Sequence, residues 1–257
     1  RQSLDFGVTT SIVMGTAFSQ TVARLKGLED ADAADMSALR SAGIMATVPG
    51  GHGDPGQTIG GPFPSLTTPA EAEAFVAARV AEGADFLKII FDDTSGWFPA
   101  QKLPTLDEAT VEALATAAHA RGRIAIAHIG SEPSARAAIA AGVDGLAHLF
   151  PGATVATDFG AFAAQHGIFV IPTLSAIYPD CGKSAAPEFL NDSETMKRVK
   201  PAFKGFLGQV DAGVRTSCDA APRALRQLVA AGVPVLVGTD VPAPGTTVPA
   251  AGYARRS

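Results

Sequence analysis

The most regular feature of this chain is a repeated pair of patterns: a stretch with apolar residues at helical spacing ends in glycine, and a short apolar run follows at once. Seven such runs begin at Gly7, Gly43, Gly83, Gly122, Gly142, Gly167 and Gly232, and end at Met14, Val48, Ile90, His128, His148, Leu174 and Asp240. Glycine just past a helix end adopts the left-handed backbone that turns the chain out of the helix. Runs that are apolar at nearly every position predict strands covered on both faces, as in a parallel sheet. Between the runs, Thr68, Pro69, Ala70 and Glu71 form a capping box with proline at the first helical position, predicting a helix to about Glu82. Thr105, Leu106, Asp107 and Glu108 predict a second helix to about Ala120, and 134–141 and 221–231 read as shorter ones.

Alternating helices and buried strands predict an α/β fold, and seven units favour a (β/α)8 TIM-type barrel over an open doubly wound sheet. No G-x-G-x-x-G turn follows the first run, which weakens the dinucleotide-binding alternative. The whole chain, 1–257, reads as a single barrel domain that is incomplete, with seven of eight strands. It starts within what reads as the tail of a helix over 1–6, so a preceding strand is expected upstream, and the helix expected after the last run is missing too.

Composition narrows the classes. With 47% hydrophobic and 18% charged residues, the chain can bury a large core. A net charge of −5 argues against nucleic acid as a partner, and no apolar run is long enough to span a bilayer. The expected partner is a small-molecule substrate, with no membrane partner and a homo-oligomer left open. No signal-like stretch opens the sequence, which slightly favours a cytoplasmic setting. Cys181 and Cys218 are few and far apart, and read as two incidental thiols.

In barrels of this kind the reactive groups stand at the C-terminal ends of the strands, so polar residues interrupting those ends carry the chemistry. Lys88 lies within a strongly apolar run, where a cation is costly to bury. His128 and His148 each fall six residues after their run's glycine, which predicts matching levels on successive strands. Two neutral imidazoles so placed can share one metal ion. Asp240 closes the last run, where a carboxylate can ligate metal and accept a proton. Long loops are expected over 49–67, 91–104 and 176–192, and would set substrate choice. His52 and Tyr178 are the substrate-binding candidates, Trp97 with Phe98 forms a wall or lid, and Asp92 and Asp93 read as solvated or orienting loop residues.

These residues resemble the amidohydrolase superfamily, most closely its imidazolonepropionase-like and Xaa-Pro-dipeptidase-like hydrolases. The likeness rests on Gly83–Asp85 leading to Lys88, on Ala127 with His128, on Gly142–Asp144 leading to His148, on Gly238–Asp240, and on Pro49–Asp54. The resemblance implies two divalent ions, often zinc, bridged by a carboxylated Lys88, with His128 and His148 on one ion and Asp240 on the other. It implies hydrolysis of an amide, peptide-like or cyclic amide C–N bond by a metal-bound hydroxide, with Asp240 moving the proton. The same chemistry serves an ester, lactone or phosphoester, and a non-catalytic fragment or interaction module of the same fold is the alternative of another class. The family's H-x-H pair is not in this sequence. Either a strand carrying it lies upstream, or the protein binds one ion or none. On the first reading, this stretch alone is not expected to complete the site.

Overall fold

In the computed structural model, the residues described are 7–15, 37–54, 63–183, 191–199 and 216–240, with a few isolated positions between them. The predicted helix tail over 1–6, apart from Leu4, the chain end over 252–257, and the loop stretches 55–62 and 184–190 lie outside them. The strands are β1 (Thr10–Val13), β2 (Ala38–Ser41), β3 (Leu87–Phe91), β4 (Ala125–Ile129), β5 (Gly145–Ala147) and β6 (Phe169–Ile171). The helices are α1 (Ala72–Ala81), α2 (Glu108–His119), α3 (Glu132–Ala140), α4 (Phe159–Gln165), α5 (Leu174–Asp180), α6 (Ser193–Arg198) and α7 (Ala220–Ala230).

The strands are parallel and follow chain order. β1 pairs with β2, and β3 through β6 form a second ladder. Single bridges extend that ladder, Ala46 to Ile89 on one side and Val170 to Val235 on the other. The Asp85 amide donates to Ser41 O at 2.8 Å, so the two ladders touch. Every residue of β3 is buried: Leu87, Ile89 and Phe91 join the main core on one face, and Lys88 and Ile90 point to the other. Outside the sheet, α2 packs on β3 and β4, α3 on β4, and α4 against α7. The buried residues of α2, among them Val111, Leu114, Ala115 and Ala118, recur at spacings of three and four and form its sheet-facing stripe.

Several expectations change. Six strands, not seven, are formed among the described residues, and no strand pairing joins β1 to the 235–240 segment, so the barrel is not closed there. The run 43–48 contributes one bridge at Ala46, and the strand paired with β1 is Ala38–Ser41, ahead of Gly43. The last run likewise makes one bridge, at Val235. Among the described residues, 235–240 has only β6 beside it and meets it at that one bridge. The capping box at Thr68 and Glu71 is present. In the second helix the N-cap is Asp107, whose carboxylate accepts from the Thr110 amide at 2.8 Å. The segment expected to be a loop from 176 instead begins inside α5. The two cysteines are not free thiols: Cys181, after α5, is joined to Cys218, before α7, as a disulfide with Cα atoms 6.0 Å apart.

Candidate active site

Side chains alternate along a strand, so Lys88, Ile90 and Asp92 point to one side of β3 and its extension. Lys88 is 2% exposed and lines a cavity of about 450 Å³ together with His52, His128, His148 and Asp240. Five of the six predicted site residues converge here because parallel strands end at one rim. A smaller space of about 300 Å³ shares both barrel histidines, His52 and Asp240, and is walled by Trp97, Phe98 and Ile177. Tyr178 does not line either space: it sits on α5, partly buried against the hydrophobic core.

The histidines meet by an unexpected route. His128 pairs across the ladder with Ala147, so His148 stands one residue past the matching level. In a continuing strand it would face the helices. His148 instead has φ of +73°, a conformation costly for a side chain of its kind, which breaks the alternation. The two rings end with centroids 4.4 Å apart. Asp240 also has positive φ, +53°, as does Thr173, +44°. Three strained residues at adjoining strand ends mark a place where side-chain direction overrides backbone preference. His148 Nδ1 and Thr173 Oγ1 share a hydrogen bond of 2.7 Å, and Asp240 Oδ2 is 3.9 Å from the same nitrogen.

Of the two readings of Asp92, solvated or orienting, the structure removes the first. Asp92 is 4% exposed, at the end of β3. Its Oδ2 is 2.8 Å from His52 Nδ1 and 3.3 Å from His128 Nε2, and its Oδ1 accepts from the Thr94 amide at 3.0 Å. A Cβ on Gly130 would overlap Asp92 Oδ1, so only glycine lets the carboxylate sit there. The contact with His128 lacks hydrogen-bond geometry, and His128 Nε2 is buried with no hydrogen-bond partner. The ligand atoms of His52, Asp92 and His128 all lie within 4.8 Å of one another. The signal available in sequence was parity: Asp92 is four residues beyond Lys88 and therefore on its face.

The electrostatics follow from burial. Lys88 is desolvated, which lowers its amine from 10.5 to about 8 against the opposing pull of Asp240. Burial, then the charge of His148, hold His128 well below 6.5. Burial lowers His148 as well, partly offset by Asp240. Desolvation would raise Asp92, but its contacts with His128 and His52 outweigh that and hold its carboxyl below the ordinary range. At neutral pH the site therefore offers two uncharged imidazoles, an amine that deprotonates easily, and carboxylates. An unpartnered buried nitrogen beside an oxygen donor fits a divalent metal, since neutral His and carboxylate are its usual ligands.

Comparison with solved structures bears on this geometry. The chain superposes on a Xaa-Pro dipeptidase with bound methionine at TM-score 0.65 and 20% identity, over 98% of this chain and 58% of that one. The two chains share a fold over nearly the whole of this one. A prolidase complexed with N-methylphosphonate-L-proline matches at TM-score 0.62 and 20% identity, over 93% of this chain and 56% of that one. Phenylurea hydrolase B matches at TM-score 0.62 and 16% identity, over 93% and 53%. The chain thus spans a little over half the length of these proteins. No protein-family model and no curated protein sequence matches it. Among the described residues, no helix is long and apolar enough to cross a membrane.

Proposed function

We propose that this chain forms the greater part of a metal-dependent hydrolase of a carbon–nitrogen bond, acting on an amide, peptide-like or cyclic amide substrate. The observation that carries the reading is the convergence of buried Lys88, His128, His148 and Asp240 on one cavity, with His128 Nε2 unpartnered. The dipeptidase, the prolidase and the phenylurea hydrolase of the same fold support a C–N bond over an ester.

In this reading His128, His148, Asp240 and Lys88 would hold divalent metal, zinc being one ion that imidazole and carboxylate suit. As the neutral amine that its burial favours, Lys88 would form an N–C bond to carbon dioxide and release one proton to solvent, giving a carbamate. When bound, the metal supplies Lewis-acid polarisation and lowers the pKa of a coordinated water. The chain's own residues do the rest. Thr173 holds the His148 ring through Nδ1, which leaves Nε2 as the other ring nitrogen. Attack by water on a carbonyl releases one proton, and the departing nitrogen needs one. Asp240, half exposed at the cavity mouth and beside His148, carries that proton between them. Trp97, with Ile177, walls the adjoining space and keeps bulk water from the reacting carbonyl.

The test is metal content and hydrolysis by the full-length protein. Purified protein should hold a stoichiometric divalent ion, lose it on His128→Ala, and hydrolyse members of a panel of dipeptides and N-acyl amino acids faster than lactones. Lys88→Ala should abolish turnover. Protein without bound metal, with activity untouched by Lys88→Ala, overturns the reading.

A further inference from the structure

Asp92 is the one buried carboxylate at this cavity that the proposed chemistry leaves without a task. Its position is defined from every side: Thr94 donates to one oxygen, Gly130 packs against that oxygen, and two imidazoles meet the other. A carboxylate only accepts, so the hydrogen between Asp92 Oδ2 and His52 resides on Nδ1. In water a free neutral imidazole prefers its proton on Nε2, so this contact reverses the tautomer. His52 lies on the 49–54 loop, whose glycines give the ring no packing of their own, and its backbone oxygen is fixed by the Thr47 hydroxyl at 2.7 Å. The 2.8 Å separation of His52 Nδ1 from Asp92 Oδ2 is that of a direct hydrogen bond and leaves no space for an ion between them.

We propose that Asp92 is a positioning residue: it holds the Nδ1 proton of His52 and so presents His52 Nε2 to the cavity as the group that meets the polar atoms of the substrate. The proposal rests on reading His52 as a substrate-facing residue of the hydrolase described above. His52 then accepts at Nε2 from a substrate N–H or O–H. Asp92 also meets His128 and thereby links this residue to the metal-binding side of the cavity. The arrangement is the carboxylate support that orients imidazoles in many sites, here applied to a ring on a loop.

The experiment reads the tautomer directly and needs neither substrate nor turnover. The full-length protein, labelled with ¹⁵N-histidine and stripped of metal, is examined by long-range ¹H–¹⁵N correlation at alkaline pH, with His52 assigned by its disappearance in His52→Gln. In the native protein His52 should show protonated Nδ1 and unprotonated Nε2. Asp92→Ala should return it to the Nε2-protonated form, and Asp92→Asn, whose amide oxygen still accepts, should retain the native form. Native His52 protonated on Nε2 overturns the proposal, as does an unchanged tautomer in Asp92→Ala. If Asp92→Ala does not fold, the native spectrum and Asp92→Asn still decide. Addition of zinc alone should leave His52 Nδ1 protonated, and loss of that proton would assign His52 and Asp92 to a metal cradle instead. The native tautomer with no C–N hydrolysis by the full-length protein would leave the clamp standing and remove only the function it serves.

Discussion

Replacing Lys88 with methionine should make the metal-free protein more stable, not less. Methionine has nearly the length and volume of lysine without its charge, so packing beside Ile126, its partner across the ladder, is kept. The gain comes from the cost of holding an ammonium in a residue 2% exposed to solvent. Burial lowers the Lys88 amine from 10.5 to about 8, and at about 1.4 kcal/mol per pH unit the charged form carries a penalty of about 3 kcal/mol. Below pH 8 the amine is protonated in both folded and unfolded chains, and the penalty is fully present. Between about 8 and 10.5 the unfolded chain holds a proton that the folded one has released, so stability rises with pH. Above that window both states are neutral and the penalty is gone.

Urea denaturation in carbon-dioxide-free buffer with chelator checks both halves of the argument. At pH 7, Lys88→Met should exceed the native protein by about 3 kcal/mol, and near pH 10.5 the two should nearly coincide. A substitution that destabilises at pH 7 would refute the reasoning, because it would mean that partners compensate the buried charge. Carbon dioxide and zinc should reverse the order, since both consume the neutral amine in the native protein and not in the variant.

Three further outcomes follow from the same geometry. His128 and His148 have lowered pKa values when folded, so the stability they contribute is present above about 6.5 and lost on acidification, as the unfolded chain takes up protons first. Chemical denaturation at pH 7.5 and pH 5 should show this fall, and His128→Asn should flatten it; equal stability at the two pH values contradicts it. The disulfide closes a sequence separation of 37, and loop-closure entropy puts its contribution at about 4 kcal/mol, so the double variant Cys181→Ala with Cys218→Ala should unfold at lower urea, and an unchanged midpoint counts against the bond. Gly130→Ala should cost about 1–3 kcal/mol by driving a methyl into Asp92 Oδ1, whereas Gly122→Ala, where a Cβ meets nothing, should cost only its backbone strain. Matching effects at the two glycines would remove the claim that Asp92 is held by close packing.

What could be read in the sequence divides by the range of the interaction. Lys88 was legible because a charge inside five buried apolar positions is improbable without a task, and that contrast is local. His128 and His148 were legible through the repeat, each at the same distance from a helix-ending glycine, yet the inference of equal level failed by one residue. The failure has a physical cause: the rings are brought together by positive φ at His148, and nothing in the run to Ala147 signals where the strand will break. The burial of Asp92 escaped the sequence for a related reason. Beside Asp93 it reads as a polar loop, and its burial depends on His52, 40 residues earlier, and on His128 in the next strand. The same holds for the cysteines, which the fold of α5 and the approach to α7 bring within reach. Strand Ala38–Ser41 escaped notice because its residues include Arg40 and Ser41 and it is defined by pairing with β1, not by its own pattern. Parity along β3 offered the one local route to Asp92, since counting by two from Lys88 reaches it. Face can thus be counted from sequence, whereas depth and partner come only from the neighbouring strands. In this cavity the residues of known face, Lys88 and Asp92, are the two whose charge states the neighbours then decide.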